Sequence, residues 1–184
     1  MSRRLIFLLG GARSGKSTYA ENWAREHGGR VLYVATAQAY DDEMRDRIAN
    51  HRAVRPDNWD TLEAPLNTGE AIACRLAAQA GHDTVLLDCL TMLTANALLQ
   101  LPDDMPQADA DAAVMAEVDG LLAAYAASNA TWLVVSNEVG MGVVPPSKYG
   151  RLYRDALGRA NQRIAGTVAD EVLLLVAGLP WRLK

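Results

Sequence analysis

Short, uninterrupted apolar runs recur along this chain and alternate with longer amphipathic stretches. The runs lie at 3–9 (RRLIFLL), 31–36 (VLYVAT), 84–89 (TVLLDC), 131–137 (TWLVVSN) and 171–178 (EVLLLVAG). They are continuous rather than alternating in polarity, so each predicts a strand covered on both faces, as in a parallel sheet between helix layers. Helix-compatible segments at 16–27, 41–54, 68–80, 109–127 and 148–166 separate the runs. This rhythm predicts a three-layer α/β fold with a mostly parallel sheet. The terminal LPWRLK (179–184) follows Gly178 too closely for a crossover helix, which predicts an antiparallel strand at the sheet edge. The Pro- and Asp-rich stretch 101–113 predicts a surface loop that leads into a helix through an aspartate N-cap.

One helical segment breaks its own pattern. In DDEMRDRIANHRAVRP (41–56), Met44, Ile48 and His51 fall at i, i+4 and i+7, so an imidazole continues an apolar stripe. The pattern leaves two readings open: a packed boundary histidine, or one held there for chemistry.

Bulk composition narrows the picture. A chain of 184 residues, half of them hydrophobic and 22% charged, matches one well-buried globular domain over 1–184. A net charge of −4 provides no general attraction to nucleic acid or anionic membrane, so any phosphate must be captured locally. At the N-terminus, MSRRLIFLLGG imitates a signal peptide, but its apolar run, Leu5 to Leu9, is shorter than a secretory core and meets glycine at once. No apolar run approaches the length of a membrane span. Two cysteines, Cys74 and Cys89, stand in no metal or redox spacing, which predicts a reducing cytoplasm.

The first strand runs into GGARSGKS: Gly10, Gly11, Ala12, Arg13, Ser14, Gly15, Lys16 and Ser17. This fits the phosphate-binding P-loop pattern, with a strand before it and a helix after it. Glycines let the backbone wrap a phosphate, the helix N-terminus points N–H groups at it, and Lys16 bridges the outer phosphates. Ser17 predicts a Mg²⁺ ligand, and Asp88 at the end of a neighbouring strand predicts the second. Glu138 is another strand-end acid with an open role. The motif predicts a P-loop NTPase fold and a nucleoside triphosphate site without naming the base.

Four stretches together resemble one family: GGARSGKS (10–17), YVATAQAYDDEMRDRIANHRAVRP (33–56), SNEVGMGVVP (136–145) and YRDALGRANQRIA (153–165). The chain resembles the bifunctional adenosylcobinamide kinases and adenosylcobinamide-phosphate guanylyltransferases of cobalamin biosynthesis. The resemblance implies transfer of the γ-phosphate of ATP or GTP to the aminopropanol hydroxyl of adenosylcobinamide. It implies next that GMP from GTP is attached to that phosphate through a GMP-histidine intermediate, giving adenosylcobinamide-GDP and pyrophosphate. It further implies a small homo-oligomer, typically a trimer. The family's nucleophilic histidine falls on His51. Its nucleotide contacts fall on Gly10 to Ser17, on Ala35, Thr36 and Ala37, on Arg52, Ala53, Val54 and Arg55, and on Glu63 and Asp88. ATA at 35–37 departs from the family's commoner ATS, which removes a hydroxyl at Ala37 and leaves the backbone contacts.

The chemistry of the residues supports that role for His51. Only a neutral imidazole attacks a phosphorus atom, and Arg47, Arg52 and Arg55 beside it on the expected helix would disfavour the imidazolium while stabilising charge on phosphate oxygens. Two other readings compete: a P-loop small-molecule kinase without covalent chemistry, and a recombinase-like ATPase module, which the acidic balance disfavours. In the last helical segment, Leu152, Ala156, Ala160 and Ile164 form a packing stripe, leaving Arg154, Asp155, Asn161 and Gln162 as site or interface candidates.

Overall fold

The computed structural model describes residues 3–38 and 56–184. The expected helix over 41–54, with His51 and the arginines around it, lies outside the described residues.

The apolar runs form strands β1 (Leu5–Gly10), β2 (Val31–Ala35), β4 (Thr84–Asp88), β5 (Thr131–Val135) and β6 (Glu171–Val176). With β3 (Asp60–Glu63) and β7 (Leu179–Arg182) they make one seven-stranded sheet, ordered β3-β2-β4-β5-β1-β6-β7. Every pairing is parallel except β6 with β7. Five helices occur among the described residues: α1 (Lys16–His27), α2 (Thr68–Ala78), α3 (Leu90–Leu98), α4 (Gln107–Ala127) and α5 (Lys148–Thr167).

The uninterrupted apolar runs are explained by burial on both faces. In β1, Leu5, Phe7 and Leu9 join the cluster formed with α2 to α5, while Ile6 and Leu8 join the cluster that packs on Ala20 and Ala24 of α1. Alternate residues serve opposite layers, so no position is left for a polar side chain. The chain returns from β6 to β7 through Ala177 (φ 51°) and Gly178 (φ 82°). Two residues with positive φ give a tight hairpin whose twist matches the strands, as the short Gly178 connection predicts.

Two elements were hidden in the sequence. Helix α3 begins at Leu90 directly after Asp88 and Cys89, so its apolar start reads as a continuation of β4. Strand β3 is short, half-exposed and mostly polar (DTLE), the character of an edge strand rather than a buried one. One expectation needs correction. Helix α4 starts at Gln107 with Pro106 as its N-cap residue and no side-chain cap. No aspartate caps it; Asp109 lies inside the first turn, where its charge favours the helix N-terminus without a cap bond.

Candidate active site

Strands β1, β4 and β5 end side by side, and their C-terminal ends bring the P-loop and Asp88 together. A pocket of about 420 Å³ lies there, and its walls include Ala12 to Ser17, Ala35, Ala37 and Asp88. The loop's shape demands glycine at two points. At Gly10 (φ 151°) a Cβ would come within 2.5 Å of the Leu175 carbonyl oxygen and 2.6 Å of Ser14 Oγ. Gly15 (φ 95°) occupies the N-cap of α1 in the left-handed region, and a Cβ there would lie 3.0 Å from Gly178 Cα. The β6–β7 turn thus supports the loop from behind, and Gly178 N also donates to Ser14 O (2.9 Å).

Helix α1 has no side-chain cap and no acidic residue in its first turn. Its first N–H groups therefore face the pocket region without an internal partner, which suits an anion. Lys16 is buried, with Nζ donating to Gly11 O (2.6 Å) and to Ser14 Oγ (3.4 Å). Burial lowers its pKa below the ordinary 10.5, while Asp88 and Cys89 act in the opposite direction. A phosphate in the pocket would supply the counter-charge that the loop carbonyl offers only as a dipole.

Asp88 is held from one side. Tyr33 OH donates to its Oδ2 (2.8 Å), and the Tyr33 ring stacks on the buried Trp59 at 6.4 Å between centroids. Ser17 and Asp88 are hard oxygen donors in one pocket. Among the described residues no cluster of three or more His, Cys, Asp or Glu side chains forms a metal cage. Few protein oxygens beside a phosphate-binding loop fit Mg²⁺, which keeps its waters and shares nucleotide oxygens. Cys89 follows Asp88, and burial with the adjacent aspartate pushes its thiol up to about 11, so it stays protonated at neutral pH.

Other expected site residues take different places. Thr36 is fully buried; its hydroxyl donates to Cys89 O (2.7 Å) and accepts from Cys89 N (2.9 Å), which ties β2 to the start of α3. Glu63 ends β3 and lines a separate cleft of about 590 Å³ with Pro56, Trp59 and Arg75. Gly10 and Gly11 form the strand-to-loop entry. His51, Arg52, Ala53, Val54 and Arg55 lie outside the described residues.

Glu138 turns away from the P-loop pocket. Its backbone N donates to Gly10 O (3.0 Å), its carboxylate accepts from Gly140 N (2.6 Å), and it lines a cleft of about 470 Å³ against α5 with Arg154, Asp155, Asn161 and Gln162. Tyr33, Thr91 and Asn137 also line the P-loop pocket and were not among the expected site residues. Each belongs to or adjoins a predicted strand, but only the sheet order brings them to the P-loop.

Known proteins resemble this chain in sequence over nearly its whole length. The family described as cobinamide kinase / cobinamide phosphate guanyltransferase matches residues 6–183. A bifunctional adenosylcobalamin biosynthesis protein of Escherichia coli is 40% identical over 185 residues, covering 98% of this chain and 99% of the relative. A bifunctional adenosylcobalamin biosynthesis protein of Pseudomonas aeruginosa is 46% identical over 177 residues, covering 96% of this chain and 95% of the relative. The match extends over nearly all of the sheet and its helices, and the chain belongs to the cobinamide kinase / cobinamide phosphate guanyltransferase family of cobalamin biosynthesis.

Proposed function

We propose that this enzyme phosphorylates adenosylcobinamide with ATP or GTP and then guanylylates the product through His51. The observation that carries the reading is the convergence of Lys16, Ser17 and Asp88 on one pocket in a chain of this family.

In the first reaction the P-loop N–H groups and Lys16 hold the β- and γ-phosphates and balance the charge that grows as the phosphoryl group leaves. The bond from the γ-phosphorus to its bridging oxygen breaks, and the electron pair departs with the nucleoside diphosphate. The aminopropanol hydroxyl oxygen bonds to phosphorus and its proton passes to water. Ser17 and Asp88 would hold Mg²⁺, which when bound neutralises part of the phosphate charge. Tyr33 fixes one Asp88 oxygen and so orients the other.

In the second reaction neutral His51 attacks the α-phosphorus of GTP, and pyrophosphate leaves with the electron pair. An oxygen of adenosylcobinamide phosphate then displaces the histidine, forming adenosylcobinamide-GDP. Arg52 and Arg55 stabilise the phosphate charge in both displacements, and Ala35 and Ala37 complete the nucleotide contacts. The reading includes a cytoplasmic single-domain protein acting as a homo-oligomer; among the described residues no helix is long and apolar enough to cross a membrane.

Incubation with GTP labelled at the α-phosphate tests the second reaction. An acid-labile, alkali-stable label on His51 is expected, lost in His51→Ala and discharged by adenosylcobinamide phosphate. A protein that phosphorylates adenosylcobinamide yet takes up no label would be a plain kinase and would contradict the guanylyl-transfer half.

A further inference from the structure

Asn137 stands two residues beyond the end of β5, the strand that separates the P-loop strand from the Asp88 strand. Val135 pairs with Leu8 on one side and with Asp88 on the other, so the chain leaving β5 enters the gap between Gly10 and Asp88. Both Val135 and Asn137 line the P-loop pocket, as side chains two apart on an extended chain share a face.

The backbone around Asn137 is clamped. Its N–H donates to Thr91 Oγ1 (2.8 Å), and its carbonyl accepts from Asn161 Nδ2 (3.1 Å). The residue before it, Ser136, is buried and donates through Oγ to Asn161 Oδ1 (2.7 Å), while the next, Glu138, donates through N to Gly10 O (3.0 Å). Helices α3 and α5 and the P-loop therefore all fix this one peptide. In contrast, the side-chain amide of Asn137 makes no hydrogen bond to any described residue. An amide held by rigid neighbours, lining a phosphate pocket and uncommitted within the protein, is pre-organised for a ligand.

We propose that Asn137 donates a hydrogen bond to the terminal phosphoryl group of the bound nucleoside triphosphate, so that the pocket distinguishes triphosphate from diphosphate. The inference rests on the P-loop pocket being the kinase site. Asn137 shares the pocket wall with Lys16, Ser17 and Asp88, beyond the end of the strand that lies between the P-loop strand and the Asp88 strand. A neutral amide can contact the transferring phosphoryl oxygens without adding a charge to be desolvated, and the diphosphate product, which lacks that group, makes no such contact.

The test compares the affinity of a non-hydrolysable imidotriphosphate with that of the diphosphate, both with Mg²⁺, in the wild-type protein, Asn137→Ala, Asn137→Asp and Lys16→Ala. Asn137→Ala is expected to bind the imidotriphosphate about 10- to 100-fold more weakly, the range for a lost hydrogen bond to a charged group, with diphosphate affinity within about twofold. Asn137→Asp, nearly the same shape but negative, should lose more. Melting temperatures should stay at the wild-type value, because the amide holds nothing else in the protein. Unchanged imidotriphosphate affinity, or equal losses for both nucleotides, would overturn the assignment. Should Asn137→Ala fold poorly, the near-isosteric and uncharged Asn137→Leu decides between the same two outcomes. Full imidotriphosphate affinity in Lys16→Ala would instead refute the pocket as the kinase site.

Discussion

The two ends of the sheet differ in a way that volume alone would misrepresent. The larger cavity, about 770 Å³, lies at the N-terminal end of the strands, where Ala73, Ala77, Ala124 and Ala127 supply much of its wall. Its polar neighbours are committed. His82, whose side chain is fully buried, bonds Gln79 O through Nδ1 (3.1 Å) and Asp60 Oδ2 through Nε2 (2.7 Å). Arg30 reaches the same Asp60 oxygen at 3.0 Å, and these partners hold the Asp60 carboxyl below its ordinary value, His82 first among them. At the C-terminal end the pocket is smaller, yet it gathers an uncapped helix start, a buried lysine turned onto a loop carbonyl, and an amide with no partner among the described residues. Polar groups satisfied by one another hold a fold together, whereas polar groups left over at a rigid place are available to a ligand. The difference favours the smaller pocket as the candidate site.

The largest expected effect that sharpens this contrast comes from Asp88. Asp88→Asn should reduce adenosylcobinamide phosphorylation by about 100-fold or more, since it removes the charge proposed to hold Mg²⁺ beside the phosphoryl group. Tyr33→Phe keeps the ring stacked on Trp59 but releases Asp88, and a supporting group of this kind is worth about 10-fold in activity or metal affinity. Kinase rates over a magnesium titration would show the pair; a Tyr33→Phe enzyme with wild-type magnesium dependence would mean that Asp88 needs no such hold.

The opposite end should respond in stability rather than in chemistry. His82→Ala leaves a buried gap and an Asp60 without its imidazole, a loss of about 2–3 kcal/mol. For a domain of this size that lowers the melting temperature by about 5–10 °C. Nucleotide affinity should not change. A collapse of nucleotide binding in a folded His82→Ala protein would break the contrast between the two ends.

The smallest effect concerns protons at Lys16. Its pKa in the empty protein is lowered, chiefly by burial, so between that value and 10.5 the unfolded chain holds more of the lysine proton than the folded one. Stability therefore gains from this group as pH rises through that window, and the penalty is complete below it. A bound triphosphate favours the charged lysine and should draw a proton from solvent at a pH within that window. Calorimetry in two buffers of different ionisation enthalpy reads this uptake, which should vanish in Lys16→Met; equal uptake in both proteins would assign it to another group.

Much of the fold was legible because burial on both sheet faces leaves continuous apolar runs, and the P-loop was legible because its chemistry is local. Gly10 to Ser17 are neighbours in sequence and remain neighbours in space. The hidden parts depend on relations between strands. Tyr33 meets Asp88 because β2 pairs with β4, and Asn137 reaches the P-loop pocket because β5 lies between β4 and β1. No local pattern encodes those adjacencies. Helix α3 was masked by its own apolarity, with Leu90, Leu93 and Leu98 buried directly after the apolar β4. Thr36 shows the converse limit: its sequence position marks it beside the site, while its hydroxyl is engaged with the backbone of Cys89.

Transfer of the γ-phosphoryl group to adenosylcobinamide by Lys16→Ala, measured beside His82→Ala, tests the central claim most directly. The account expects Lys16→Ala to lose about 100- to 1,000-fold in rate while remaining folded, and His82→Ala to keep its rate below its lowered melting temperature. Wild-type turnover in Lys16→Ala would contradict the account, because phosphoryl transfer would then take place somewhere other than the pocket at the strand C-termini.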